Sequence, residues 1–349
     1  MLVTLRPRLA PALCVASAVP VTVVVWCFTL APLMNGPEAL AEVVDAAGPF
    51  AAMVALSLLV ELPLLSLALA STGLGRRVPL AVMLGMATLP WMVGLLGTEV
   101  LVGRAMSSLT RLSTQDTALD VALSTGQAMA PRLLGAWTST ALLLGLSLGL
   151  ALARFGPACA DEAGGARRAR GLLLASGVTA ALASVAAVGA LEARHFLEML
   201  TGLGEVPHAG REEWVSFGME SAVRLRELRW MCTSVLVVLG IMLLARGLSR
   251  QDPSHRRPRW VPRLVPAAAV TALLVMDLHP VRSVARTTHV TLPRDTVPTT
   301  LDMLRLLGLE IAPAQSSQMS NRRPTTTPTP NTASITMPSE PRDTGGATS

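Results

Sequence analysis

The sequence has no lysine and no tyrosine, and its aromatic residues amount to only 3%. Charged residues make up 15% of the 349 positions, against roughly 25% in an average soluble domain. All 29 basic residues are therefore arginine, and they outnumber the acids to give a net charge of +6. A nucleic-acid surface would interleave basic residues with aromatics along one stripe; no such stripe exists here, so nucleic acid is excluded as a partner. The chain also lacks G-x-S-x-G, H-E-x-x-H, a Walker A loop and a G-x-G-x-x-G after a strand, which removes the enzyme classes that depend on them. It is read as a non-enzyme without cofactor or metal. Cys14, Cys27, Cys159 and Cys232 are not at metal-ligand spacing, and they read as unpaired thiols. The five histidines, His195, His208, His255, His279 and His289, are scattered in the same way.

Apolar residues, by contrast, are abundant: 51% of the chain, with a mean hydropathy of +0.51. A single soluble core of this length cannot hide that much apolar surface, whereas a bilayer can accept it. About 20 apolar residues in a helix cross a hydrocarbon layer of about 30 Å. Seven stretches qualify as spans: residues 9–34, 46–75, 78–103, 133–153, 171–191, 230–245 and 260–281. The last is interrupted by Arg263 and Asp277. The first exceeds the apolar core of a cleavable signal peptide and is read as an uncleaved span. The fold class expected is all-α: a polytopic bundle of six or seven transmembrane helices over residues 1–281. A short extramembrane segment, 282–312, would follow, then a Ser/Thr/Pro-rich tail, 313–349, whose composition predicts disorder.

Arginine placement predicts the orientation. The ends of the spans that would share a side with the amino terminus carry fourteen arginines, including the pairs Arg6/Arg8 and Arg76/Arg77 and the run Arg167, Arg168, Arg170. The opposite loops carry eight: Arg104, Arg111, Arg132, Arg194, Arg211, Arg224, Arg226 and Arg229. Arginine concentrates on the cytoplasmic side, so the amino terminus is expected there. The Arg-only, Ala- and Leu-rich composition suggests a bacterial inner membrane. The 194–228 loop, with a turn at 207–210, reads as helical stretches capping the outer surface.

Few residues in the spans could carry chemistry. Glu61 lies midway along the second span, two residues before Pro63. A carboxylate at the centre of a membrane helix costs about 2.5–3.5 kcal/mol even on the mildest scale. Two readings stay open: a proton or cation site, or a protonated acid hydrogen-bonded to a neighbouring helix. In the third span Pro90, Gly94 and Thr98 recur every four residues and share one small, polar face. Glu99 follows at the outer end. In the fourth, Gly145 and Gly149 form a G-x-x-x-G pair suited to close packing.

The run Ala87-Thr88-Leu89-Pro90 followed by Gly94-Leu95-Leu96-Gly97-Thr98 resembles the pore-helix motif of the MotA/TolQ/ExbB proton-channel family. The stretch Thr138-Ser139-Thr140-Ala141 with Gly145-Leu146 is similar to that family's next helix. The resemblance covers residues 85–155. It implies a proton-conducting, energy-transducing subunit working as a homo-oligomer beside a single-span partner. Thr98 and Thr140 would line the ion path, Glu61 or Glu99 would bind the proton, and Gly94, Gly97, Gly145 and Gly149 would pack helices. The sequence departs from the family where a glutamate usually precedes the second threonine, since Gly135 stands there. It also lacks the large cytoplasmic domain before the motif helix. Two other readings are a non-catalytic membrane scaffold or assembly protein and a small-molecule transporter; the transporter would need an internal helix repeat.

Overall fold

A computed structural model describes residues 6–76, 78–109, 117–156, 159, 165–207 and 210–248. The chain divides into Met1–Ala314 and Gln315–Ser349, and all described residues belong to the first unit. The expected seventh span, the 282–312 segment and the tail lie outside the described residues. Those described form eight helices: α1 (Arg6–Leu33), α2 (Pro37–Ala47), α3 (Pro49–Gly73), α4 (Leu80–Leu109), α5 (Thr117–Gln127), α6 (Ala130–Ala153), α7 (Gly165–Gly202) and α8 (Arg211–Leu248).

Five stretches are long and apolar enough to cross a membrane: Ala10–Leu30, Pro49–Gly73, Leu80–Ala105, Ala122–Ala153 and Gly165–Gly202. They overlap the first five expected spans, though the fourth starts at Ala122 rather than at 133 and the fifth covers Gly165–Gly202 rather than 171–191. The second starts later than residue 46, because Gly48 breaks the chain there. Its φ of 55° is left-handed, a conformation glycine adopts without a Cβ clash. Pro37 and Pro49 then open α2 and α3 at their first turns, where a missing N–H costs nothing. The expected sixth span is the carboxy-terminal half of α8, an uninterrupted continuation of the segment before it. The expected surface cap over residues 194–228 is likewise built from extensions of α7 and α8, joined near residues 203–210. At 1.5 Å per residue, the 38 residues of α7 make a rod of about 57 Å, well beyond one bilayer core.

α6 is the axis of the bundle. Nearly every side chain on it is buried, and α1, α3, α4 and α7 pack around it while α8 packs on α7. Close approaches fix the register. Gly145 lies against Val19 of α1, where a Cβ would come 2.7 Å from the Val19 Cα, and Gly149 lies against Leu69 of α3. Gly97 lies against the Phe50 ring and Pro131. α4 and α6 meet at Gly94 and Gly135, whose backbones leave no room for side chains: a Cβ on Gly94 would sit 2.5 Å from the Pro131 carbonyl oxygen. Such small-residue contacts bring helix backbones together where dispersion, not water exclusion, drives association.

These contacts define two ends. At the upper end α4 finishes, α6 begins, α7 finishes and α8 enters. At the lower end α3 and α6 finish and α7 begins. There Arg168 donates from Nη1 to the Gly75 carbonyl at 3.0 Å and from Nη2 to the Thr72 carbonyl at 3.1 Å, so a cation caps the carbonyls ending α3. Polar ties stitch the interior. Trp26 Nε1 donates to the Trp137 carbonyl at 3.1 Å while the two rings stack at 4.7 Å. Ser147 and Ser176 exchange hydrogen bonds between α6 and α7. The outward faces of α1, α3, α4 and α8 are apolar, with Phe28, Leu59, Leu67, Leu96 and Ile241 all exposed.

Candidate functional site

Val54, Glu61, Leu65, Leu69 and Thr72 of α3 are buried. Their spacing follows one helix face, so Glu61 occupies a core position. It is 2% exposed, and neither carboxyl oxygen has a hydrogen-bond partner among the described residues. Phe50 marks the level of Pro131, and Leu69 that of Gly149. Interpolation along α3 places Glu61 level with residues 140–142 of α6, deep between the two ends. Pro63 and Leu59, whose carbonyl the proline leaves without its helical donor, are on the exposed side of α3. The bend and the carboxyl therefore face different ways.

Thr98 and Thr140 are both buried, and they occupy different levels. The N–H of Trp91, next to Pro90, donates to Ser139 Oγ at 2.9 Å, which sets Thr140 beside Trp91. Thr98 is seven residues further along α4, about 10 Å of rise. The Thr140 hydroxyl donates to the Ala136 carbonyl at 2.8 Å, and the Thr88 hydroxyl to the Leu84 carbonyl at 2.9 Å. The Thr98 hydroxyl makes no hydrogen bond among the described residues. Glu99 is partly exposed and has an interaction partner. Between the two threonine levels, the α4–α6 seam is filled by the Gly94–Gly135 backbone contact.

The strongest electrostatic feature lies at the upper end, on residues that the sequence offers only as a span boundary and a topology signal. Glu192 of α7 is 1% exposed. Its Oε2 accepts from Nη1 of Arg229 on α8 and lies 3.5 Å from Nη2 of Arg132 on α6; its Oε1 lies 3.6 Å from Nη2 of Arg226. Arg132 and Arg229 are as buried as the glutamate, while the Arg226 side chain is 32% exposed. All three arginines have further partners. A signal for Glu192 exists in the sequence. It continues the buried stripe Val185, Val188, Gly189, Phe196, Met199 of α7 at helical spacing, so its side chain turns inward. Above the cluster, two side chains bond carbonyls across the α7–α8 hairpin: His195 Nε2 with the Gly218 oxygen at 2.7 Å, and Trp214 Nε1 with the Met199 oxygen at 3.1 Å.

Compared with protein-family models, with curated proteins and with solved structures, the chain matches none.

Proposed function

We propose that this chain is an integral membrane protein of the bacterial inner membrane that carries protons through its helix bundle, with Glu61 as the proton-binding group. The observation that carries the reading is a carboxyl 2% exposed, with no hydrogen-bond partner on either oxygen among the described residues, at mid-depth between helices. A carboxyl in such a place has no stabilising role of its own: leaving it unpaired costs about 1–3 kcal/mol, and membrane acids of this kind are characteristic of ion and proton pathways. An apolar outer surface on the spanning helices supports the membrane placement, since exposed apolar patches of that extent are foreign to soluble monomers. In this reading the upper end faces outward, the amino terminus is cytoplasmic, and lipid covers α1, α3 and α8. The likeness of the α4–α6 segment to the MotA/TolQ/ExbB pore helices favours an oligomer coupled to a single-span partner. Thr98 and Thr140 would serve separate steps of the path.

The test is proton flux into liposomes containing the purified chain, under an imposed pH gradient. Wild-type protein is expected to conduct and Glu61→Gln to lose flux while keeping its melting temperature. Equal flux from both, or none from either, refutes the reading.

A membrane scaffold is the second reading. It is favoured by the part of α8 above the cluster, where Phe217 is 70% exposed and Trp214 stands partly exposed beside it. In that case Glu61→Gln would change stability alone.

A further inference from the structure

We infer that the exposed face of α8 is a contact between two copies of this chain, set side by side and the same way up in one membrane. Trp214, Phe217, Leu228, Met231, Val235 and Val238 are 41–70% exposed. With Ser221 and Arg224 they follow one another at alternating steps of three and four residues. That is the 3.5-residue repeat that keeps one stripe of a helix turned towards a single long partner. The side packed on α7 is a different one: Val215, Ala222, Arg229 and Leu236, seven residues apart, are all buried. One face of α8 is therefore taken and the opposite one is open. From Trp214 to Val238 the open stripe runs about 36 Å. Its side chains offer on the order of 700 Å² per copy, close to the roughly 800 Å² that each partner gives to a stable interface.

The stripe crosses the level of Arg229, and that decides between occupants. Below it, lipid alone would suffice for Met231, Val235 and Val238. Above it Glu213, Glu220, Arg224 and Glu227 are exposed, a charged surface suited to water, and yet Phe217 is 70% exposed beside Trp214. A partner for the whole stripe must be apolar within the membrane, apolar again at the level of Phe217, and charged in between. A second copy supplies that match by symmetry. Copies inserted in one membrane share an orientation, so a two-fold axis along the membrane normal sets α8 parallel to α8 with equal residues at equal levels. The charges fit as well. Arg224 lies between Glu220 and Glu227, about one turn from each, and is paired with Glu220 in its own chain. Across the two-fold it meets the acids of the second copy, as opposite charges beside the apolar seam do in parallel coiled coils. The contact rests on the membrane placement proposed above and not on the proton pathway.

The experiment uses the full chain in isolated membranes, with Cys14, Cys27, Cys159 and Cys232 replaced by alanine and one new cysteine added. Phe217→Cys and Val238→Cys, one above the level of Arg229 and one below it, are each expected to give a disulfide-linked pair of copies on mild oxidation. The controls are Val44→Cys on α2 and Leu59→Cys on α3, which are 44% and 70% exposed but off the stripe; they should link at least fivefold less. All four positions are exposed, so the packed core is untouched. Arg224→Glu added to Val238→Cys should reduce linking several-fold, and Glu220→Arg in the same chain should restore it. Glu61→Gln should link as its parent does, so this contact and the proton pathway fail separately. Linking at Phe217 and Val238 no greater than at the controls overturns the proposal and leaves lipid and water on the face. A disulfide to a different protein overturns it too, as does linking of Val238→Cys without Phe217→Cys. Recovery of the chain in the soluble fraction would refute the membrane placement, and this contact with it, before any linking is measured.

Discussion

Glu61 and Glu192 are equally buried, at 2% and 1% exposure, but in opposite surroundings. Glu192 sits at the upper end among three guanidiniums from two other helices. Glu61 sits at mid-depth with no hydrogen bond among the described residues. An ionised carboxylate in apolar surroundings must be paired or neutralised. Glu192 is paired, and the charge joins α6, α7 and α8. Glu61 has no counter-charge among the described residues, which on the proposed function makes it the proton-binding group. Burial alone thus does not assign a role; the partners do, and on the proposed function they separate an acid that holds the fold from one with a proton to exchange.

That difference is exposed first by deleting each carboxyl in turn. Glu192→Ala leaves guanidiniums buried around a vacated position, and losing one member of such a pair costs about 3–5 kcal/mol; thermal unfolding in detergent should register a collapse in stability. Glu61→Gln, nearly the same shape and uncharged, should cost less than about 1 kcal/mol in the same assay. If the two variants melt alike, the division of roles is wrong.

A second effect concerns the seam between α4 and α6. Gly135→Ala drives a methyl group into the α4 backbone at Pro90 and Gly94, and overpacking of this kind costs about 1–3 kcal/mol. The loss should appear in the melting temperature. Smaller still is Trp26→Phe, which keeps ring stacking but removes the Nε1 donor to Trp137. About 1 kcal/mol is expected, read by chemical unfolding.

The sequence makes the helices easy to find, because apolar runs of span length leave little alternative. It also makes Glu61 conspicuous, as an acid inside such a run. It is misleading at Glu192, which follows Leu191 at the end of an apolar run and so looks like the first residue of a loop. Arg132, Arg226 and Arg229 hide in the same way: each lies at a span boundary, where arginine is expected for topology. What brings the four together is the antiparallel register of α6, α7 and α8, set by contacts such as Ser147 with Ser176, and no local pattern encodes that pairing. Thr98 and Thr140 illustrate the converse. A shared motif suggests one polar path, yet the Trp91–Ser139 contact puts them at separate levels.

The most direct measurement of the central contrast is labelling of the purified chain with dicyclohexylcarbodiimide, an apolar reagent that couples to protonated carboxyl groups, followed by mass-spectrometric mapping. The account predicts modification at Glu61 and none at Glu192, with loss of proton flux in proportion to labelling. Modification of Glu192 with Glu61 untouched would contradict it.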